Sequence, residues 1–171
     1  LVNLGTPDEP TPRAVRRYLA EFLADPRVVE IPRALWLPIL HGVILNTRPR
    51  KTARAYQQVW TEAGSPLAAI TAAQAEGLAT RLGDRVQVGW AMRYGNPPIA
   101  AELKRLIDAG CDRILFAPLY PQYSGATTAS AVDALGAALA AMRSQPAIRT
   151  LPAYYDDPLY IDALRDDLAR Q

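Results

Sequence analysis

The stretch VQVGWAMRYGNPPIAAELKRLIDAGCDRILFAP, residues 86–118, decides the fold. Its two ends, Val86 to Met92 and Arg113 to Pro118, are short apolar runs bounded by glycine, proline or polar residues, the pattern of buried strands. Between them Asn96-Pro97 opens a helical pattern that repeats Ile99, Leu103, Leu106 and Ile107 on one face, and Gly110 stops it. Strand, helix and strand in that order form a βαβ unit, whose strands run parallel.

The same punctuation extends outward. Further strands are expected at about Leu1 to Leu4 and Ile148 to Leu151. Thr11 caps a helix with Pro12 at its first position; Val15, Tyr18, Leu19, Phe22 and Leu23 share a face, and Asp25-Pro26 ends it. Helices are expected from Arg33 to about Ile44 and from Lys51 to Trp60, before the turn Ala63-Gly64-Ser65-Pro66. Thr71 and Gln74 have the form of a capping box ahead of Ala75, Leu78, Ala79 and Leu82. After Thr128 an alanine-rich helix carries Val132, Leu135, Gly136, Leu139 and Met142, and Asp157-Pro158 starts a last one with Ile161, Leu164 and Leu168. The alternation predicts an α/β fold with a doubly wound, mainly parallel four-stranded sheet flanked by helices, in one domain spanning residues 1–171.

Composition narrows the function. Half of the 171 residues are hydrophobic, enough for one sizeable core. The net charge of +2 arises from 19 basic and 17 acidic side chains interleaved along the chain, so no field for nucleic acid is expected; Arg48, Arg50, Lys51 and Arg54 form the one basic cluster. The single cysteine, Cys111, excludes an internal disulfide and an all-cysteine metal site, and fits a reducing, cytoplasmic setting. The longest apolar run, Ala34 to Leu45, is broken by Pro38, His41 and Gly42 and is too short to span a bilayer, which leaves only peripheral membrane contact. The chain opens at Leu1 without methionine and closes at Gln171 within a helical pattern, so both ends are expected to be cuts in a longer protein.

In a parallel sheet, ligands bind beyond the carboxyl ends of the strands. Three segments fall there: Gly5-Thr6-Pro7, the loop Arg93 to Pro98, and the loop Tyr120 to Thr128. Together they offer a guanidinium, phenols, a carboxamide and hydroxyls, a set suited to a large flat ligand with polar edges. Each loop taken singly also reads as an ordinary turn, since Gly, Pro, Asn and Ser dominate turns. No phosphate-binding glycine loop of the familiar kinds occurs. His41 has no partner nearby and reads as a packed or surface residue, Cys111 as buried and inert, and the carboxylates, Asp25 among them, as residues of polar helix faces or caps. No metal site and no cofactor motif is found.

The ordered segments Leu1 to Pro7, Phe22 to Val29, Gly64 to Leu67, Met92 to Gly95 and Tyr120 to Ser124 resemble the amino-terminal half of the ferrochelatase family. The resemblance implies two Rossmann-like domains facing each other across a porphyrin cleft, of which this chain supplies the first. It implies a reaction in heme biosynthesis with protoporphyrin IX, or a related porphyrin, and Fe²⁺ as substrates. Arg93 and Tyr94 would lie deep in the cleft. Arg48, Lys51, Tyr56 and Ser65 would meet the propionates, as charge-assisted hydrogen bonds require. Leu4, Tyr120, Gln122, Tyr123, Ser124 and Thr128 would complete the substrate wall, and Ala34 to Leu40 would border the cleft mouth.

The family's proton-accepting histidine, in a Ser-x-His-[Ser or Gly]-Leu-Pro motif, and its glutamate belong to the second half. Neither motif occurs here, and His41-Gly42, followed by Val43-Ile44, does not supply it. The resemblance therefore implies that catalytic residues lie beyond Gln171, that the partner of this chain is the second domain, and that the chain alone turns over slowly or not at all. Two alternatives stand beside this reading: a tetrapyrrole-binding module without catalysis, and an unrelated α/β domain holding a phosphate at the helix start near Ser124 to Thr128.

Overall fold

Strand β1 (Val2–Thr6) pairs in parallel with β2 (Ala91–Gly95), Val2 opposite Ala91 and Thr6 opposite Gly95, in a computed structural model that describes residues 1–170. Gln171, where the expected helical pattern closes, lies outside the described residues. Strands β3 (Arg113–Phe116) and β4 (Ala147–Thr150) form a second parallel pair. The expected four-stranded sheet is thus two two-stranded sheets. They meet at one parallel bridge, where the Val2 amide donates to Ala117 (2.9 Å) and the Leu119 amide to Val2 (2.7 Å).

The second strand also lies later than Val86 to Met92. Residues 87–90 stand outside the ladder, whereas Arg93, Tyr94 and Gly95, expected in a loop, belong to β2. The polar residues masked this strand, because Arg93 and Tyr94 find buried partners that a sequence pattern does not display.

Helices cover both faces of the sheets. Val2, Ala91 and Phe116 pack against Ile99 and Leu103 of α5 (Ile99–Asp108) and Ala131 and Leu135 of α6 (Ser130–Ala140). Asn3 points to the opposite face, as the neighbour of Val2 along a strand must. Its amide donates to Thr71 Oγ1 (3.0 Å) of α4 (Pro66–Leu82). A second core gathers Val15, Tyr18, Leu19 and Leu23 of α1 (Pro12–Ala24) with Leu40, Ala53 and Tyr94.

Thr11 caps α1 as expected, accepting from the Ala14 amide at 3.3 Å. Thr71, expected as a cap, instead sits inside α4 and donates to the Leu67 carbonyl (2.7 Å). The helix starts earlier because Pro66 occupies its first position, where a missing N–H costs nothing. In α5 the start moves the other way, to Ile99, after the cis peptide Asn96–Pro97.

The two helices expected from Arg33 and from Lys51 are one continuous helical run. α2 (Arg33–Ile39) passes through a π-helical turn, Leu40–Ile44, into α3 (Leu45–Val59). Pro49 lies inside α3 and is tolerated for a visible reason. Its ring removes the N–H that would reach the Leu45 carbonyl one turn earlier. Arg16 of α1 donates a guanidinium N–H to that carbonyl instead, and a second bond to Asn46 Oδ1 (3.0 Å). α7 (Pro158–Leu168) begins at Asp157, whose carboxylate accepts from the Leu159 amide at 2.9 Å. Its stripe does not pack: Ile161, Leu164 and Leu168 are all exposed.

Candidate functional site

At the carboxyl ends of β1 and β2 the two strands come unusually close. Gly5 has φ +116°, and a β-carbon there would stand 1.9 Å from the Tyr94 carbonyl oxygen. Gly95, with φ +86°, would place one 2.7 Å from the Thr6 carbonyl oxygen. Only glycine fits either position.

Two polar cavities open at this edge. One of about 190 Å³ is walled by Thr6, Asp8, Arg17, Tyr18, Glu21 and Asn96. The other, about 240 Å³, is walled by Thr6, Asp8, Trp60, Gly64, Ser65 and Asn96. Thr6 serves both walls, is only 6% exposed, and its buried hydroxyl has no hydrogen-bond partner. Ser65 stands where α4 begins, so the second cavity also meets the amino end of a 17-residue helix, the end that favours anions.

Behind this edge lies a buried polar network around Asp25. Its Oδ2 accepts from Arg93 Nη2 (2.6 Å), the Tyr94 hydroxyl (2.7 Å) and the Ser130 hydroxyl, and its Oδ1 from the Arg27 amide (2.7 Å). Burial alone would push the Asp25 carboxyl up, but the bonds from Ser130, the Arg27 amide and Tyr94, with the charge of Arg93, hold it below its ordinary value. Burial pushes the Tyr94 phenol up to about 12. Arg93 Nε donates to the Ser130 carbonyl (2.9 Å) and hydroxyl (2.6 Å), and its guanidinium lies 4.3 Å from the Tyr94 ring centre. Phe22 meets the Tyr94 ring edge-on at 5.1 Å. The result is a neutralised cation held rigidly under the strand ends.

The other expected site residues are dispersed around this edge. Ser65 lies in the second cavity and Leu4 is half-buried in β1 against the α1 core. Arg48 and Lys51 are exposed one turn apart on α3, and Tyr56 is half-buried, its ring edge-on to Trp60 at 6.2 Å. Tyr120 is half-buried against the α5–α6 core, its hydroxyl buried without a partner and its phenol pushed up by burial. Gln122, Tyr123 and Ser124 are exposed, and Thr128 lies in a π-helical turn, Gly125–Ala129, that leads into α6. Tyr94 is fully buried, so it is a support for this edge rather than part of its surface.

Three expectations about polar residues are corrected. Asp25, assigned to helix caps and polar faces, is 7% exposed and forms the centre of the network. Thr6, expected in a loop beyond the first strand, is the buried last residue of β1, and Ser130, which was not singled out, is buried as well. One signal for Asp25 is present in the sequence: an acid directly after a helix end is disfavoured by the helix dipole and needs other partners. Cys111, expected buried, is half-exposed. His41 is exposed on the π-helical turn. Among the described residues, no three or more His, Cys, Asp or Glu side chains gather as a metal site.

Fold and site together define a parallel α/β protein with polar cavities at the carboxyl ends of its first two strands and a buried Asp–Arg pair beneath them. The family model described as Ferrochelatase matches residues 1–171. The chain is 57% identical over 166 residues to the ferrochelatase of Azoarcus sp. (strain BH72), covering 96% of this chain and 46% of that protein. It is 56% identical over 172 residues to that of Thioalkalivibrio sulfidiphilus, with 98% and 47% covered, and 58% identical over 167 residues to that of Methylibium petroleiphilum, with 96% and 46% covered. The chain belongs to the ferrochelatase family, and it spans about half the length of the curated relatives it matches.

Proposed function

We propose that this chain is the amino-terminal domain of a cytoplasmic ferrochelatase, a metal-inserting lyase of heme biosynthesis that places Fe²⁺ in protoporphyrin IX or a related porphyrin. It supplies one wall of the porphyrin cleft, a Rossmann-like half that faces a second domain. That second domain brings the histidine and glutamate that accept the pyrrole protons, while this one binds and orients. Fe²⁺ is a substrate, and no resident cofactor is invoked. No helix among the described residues is long and apolar enough to cross a membrane. The apolar side chains Leu35, Ile39 and Val43, all exposed, border the cleft mouth and make any membrane contact a peripheral one.

The observation that carries this reading, beside the family itself, is the unpartnered Thr6 hydroxyl in one cavity with Ser65 and the start of α4. Two hydroxyl donors at a helix amino end suit a carboxylate, and Trp60 in the same wall suits the adjoining flat ring. Arg48, Lys51 and Tyr56 add charge and a phenol for the propionates, and Leu4, Tyr120, Gln122, Tyr123, Ser124 and Thr128 border the macrocycle. Arg93 and Tyr94 act from beneath: Asp25 neutralises the guanidinium, so the wall opposite the proton acceptors does not repel an entering dication.

Titration of the purified chain with protoporphyrin, followed by absorbance and fluorescence beside an Fe²⁺ insertion assay, tests this. Binding without insertion is expected, weakened about tenfold by Thr6→Val or Ser65→Ala, as loss of one hydrogen bond to a charged group implies. Insertion at the rate of a whole ferrochelatase, or binding indifferent to both substitutions, overturns it.

A further inference from the structure

The two cavities at the strand ends are neighbours of opposite character, and Thr6, Asp8 and Asn96 form the partition between them. The one of about 240 Å³ is open to an anion. Ser65 makes no side-chain bond to the start of α4, which leaves the helix's own first-turn amides to hold an acceptor. The Thr6 hydroxyl, buried without a partner, adds a donor from the partition.

The cavity of about 190 Å³ already holds a carboxylate of the protein itself. Gly95 ends β2, and its amide is the strand-end donor on this side; Glu21 of α1 accepts from it through Oε2 at 2.9 Å. Asp8, in the partition, accepts from Asn96 Nδ2 (2.7 Å) and from Arg17 (3.1 Å). Arg17 stands one turn before Glu21 on α1, yet it pairs with Asp8. The three charged side chains lining this cavity, Asp8, Arg17 and Glu21, therefore leave one negative charge uncompensated, that of Glu21. A carboxylate entering here meets a like charge, and the amide that could bind it is taken.

We infer that Glu21 is a specificity-determining residue, which confines the ligand to porphyrins whose carboxylates lie on two adjacent pyrroles. The inference rests on the porphyrin reading above, in which the larger cavity seats one propionate. Protoporphyrin IX bears its two propionates on neighbouring pyrroles and only vinyl and methyl groups on the others, so a seated propionate has a charged neighbour on one side alone. Trp60, edge-on to Tyr56, leads from the larger cavity back along α3 toward Lys51 and Arg48, cations that suit that neighbour. Across the partition the next pyrrole faces Glu21. A vinyl or methyl group is admitted there, and a third carboxylate is rejected. Selectivity thus comes from a repulsive element set beside the attractive ones.

Fluorescence titrations with protoporphyrin IX and with coproporphyrin, which bears a propionate on every pyrrole, test this on the chain as it stands and on Glu21→Gln and Glu21→Lys. Gln keeps an acceptor for the Gly95 amide, and the side chain is exposed on α1, so both variants should fold, which melting temperatures check. The chain as it stands is expected to bind protoporphyrin about tenfold more tightly than coproporphyrin, as one uncompensated like charge at close range implies. Glu21→Gln should narrow that ratio to about twofold, and Glu21→Lys should reverse it. A ratio unchanged across the three chains overturns the inference. So does a loss of both affinities in step, which would make Glu21 a support for β2 and nothing more. Protoporphyrin bound without any preference over coproporphyrin removes this inference and leaves the porphyrin reading intact, whereas no binding of either porphyrin by any of the three chains refutes both.

Discussion

The Tyr94 hydroxyl donates to Asp25 Oδ2 across 2.7 Å, joining the second strand to the end of the first helix inside the protein. The same oxygen also accepts from Arg93 and Ser130, so the carboxylate belongs to all three partners. Asp25→Ala should destabilise the chain by about 3–5 kcal/mol, since it leaves a buried guanidinium without its counter-charge. Tyr94→Phe, which leaves Asp25 its other donors, should cost about 1 kcal/mol. Urea unfolding of the two variants checks the ordering, and equal losses would deny the central role of Asp25.

The network also fixes how stability depends on pH. Asp25 is held below its ordinary value when folded, so its contribution is present above the unfolded carboxylate value, about 3.9, and is lost as pH falls through the folded one. Tyr94 behaves in the opposite sense. Its folded value of about 12 lies above the ordinary 10.0, so its contribution is complete below that and is lost as pH rises from there toward 12. Melting temperatures across this range should fall at both ends, and Tyr94→Phe should remove its share of the alkaline fall and, by taking one donor from Asp25, soften the acid fall in part.

Arg16 and Pro49 should prove energetically coupled although they do not bond to each other. Arg16→Ala strips the Leu45 carbonyl of its donor and should cost about 1–3 kcal/mol. Pro49→Ala restores a backbone N–H one turn along, so the double variant should recover part of that loss. A double-mutant cycle by chemical denaturation reads the coupling, expected at about 1 kcal/mol in the recovering sense.

Gly5→Ala should be among the most damaging single changes. The new methyl would meet the Tyr94 carbonyl at 1.9 Å, a backbone atom that cannot move without parting β1 from β2. A loss above about 3 kcal/mol, or no folded protein at all, is expected in thermal unfolding. Gly136→Ala, on the open side of α6 with nothing within 4 Å, serves as the silent control.

Much of the architecture was legible because it rests on local chemistry. Thr11-Pro12 and Asp157-Pro158 announce helix starts through caps that work within a few residues. Thr71 and Gln74 mimic the same signal, yet Pro66 begins the helix first, and Thr71 is needed elsewhere, by Asn3. The helix through Pro49 was not legible because its remedy comes from Arg16, 29 residues earlier than Leu45. The candidate site divides in the same way. Ser65, Arg93 and Tyr94 stood out through resemblance, whereas Asp25 draws its meaning from partners 68, 69 and 105 positions away. Thr6 gives no local sign that its hydroxyl is buried without a partner.

Those separations carry a kinetic consequence. The Asp25–Ser130 contact closes a loop of 105 residues, and Arg93 and Tyr94 close loops of 68 and 69 in the same cluster. Loop closure of this kind is paid in chain entropy before any bond forms, so the network assembles after the local helices, late on the way to the native state. Substitutions in it should then leave the refolding rate nearly untouched and appear as faster unfolding. The cluster beneath the strand ends acts as a latch closed last, and it sets how long the folded chain persists.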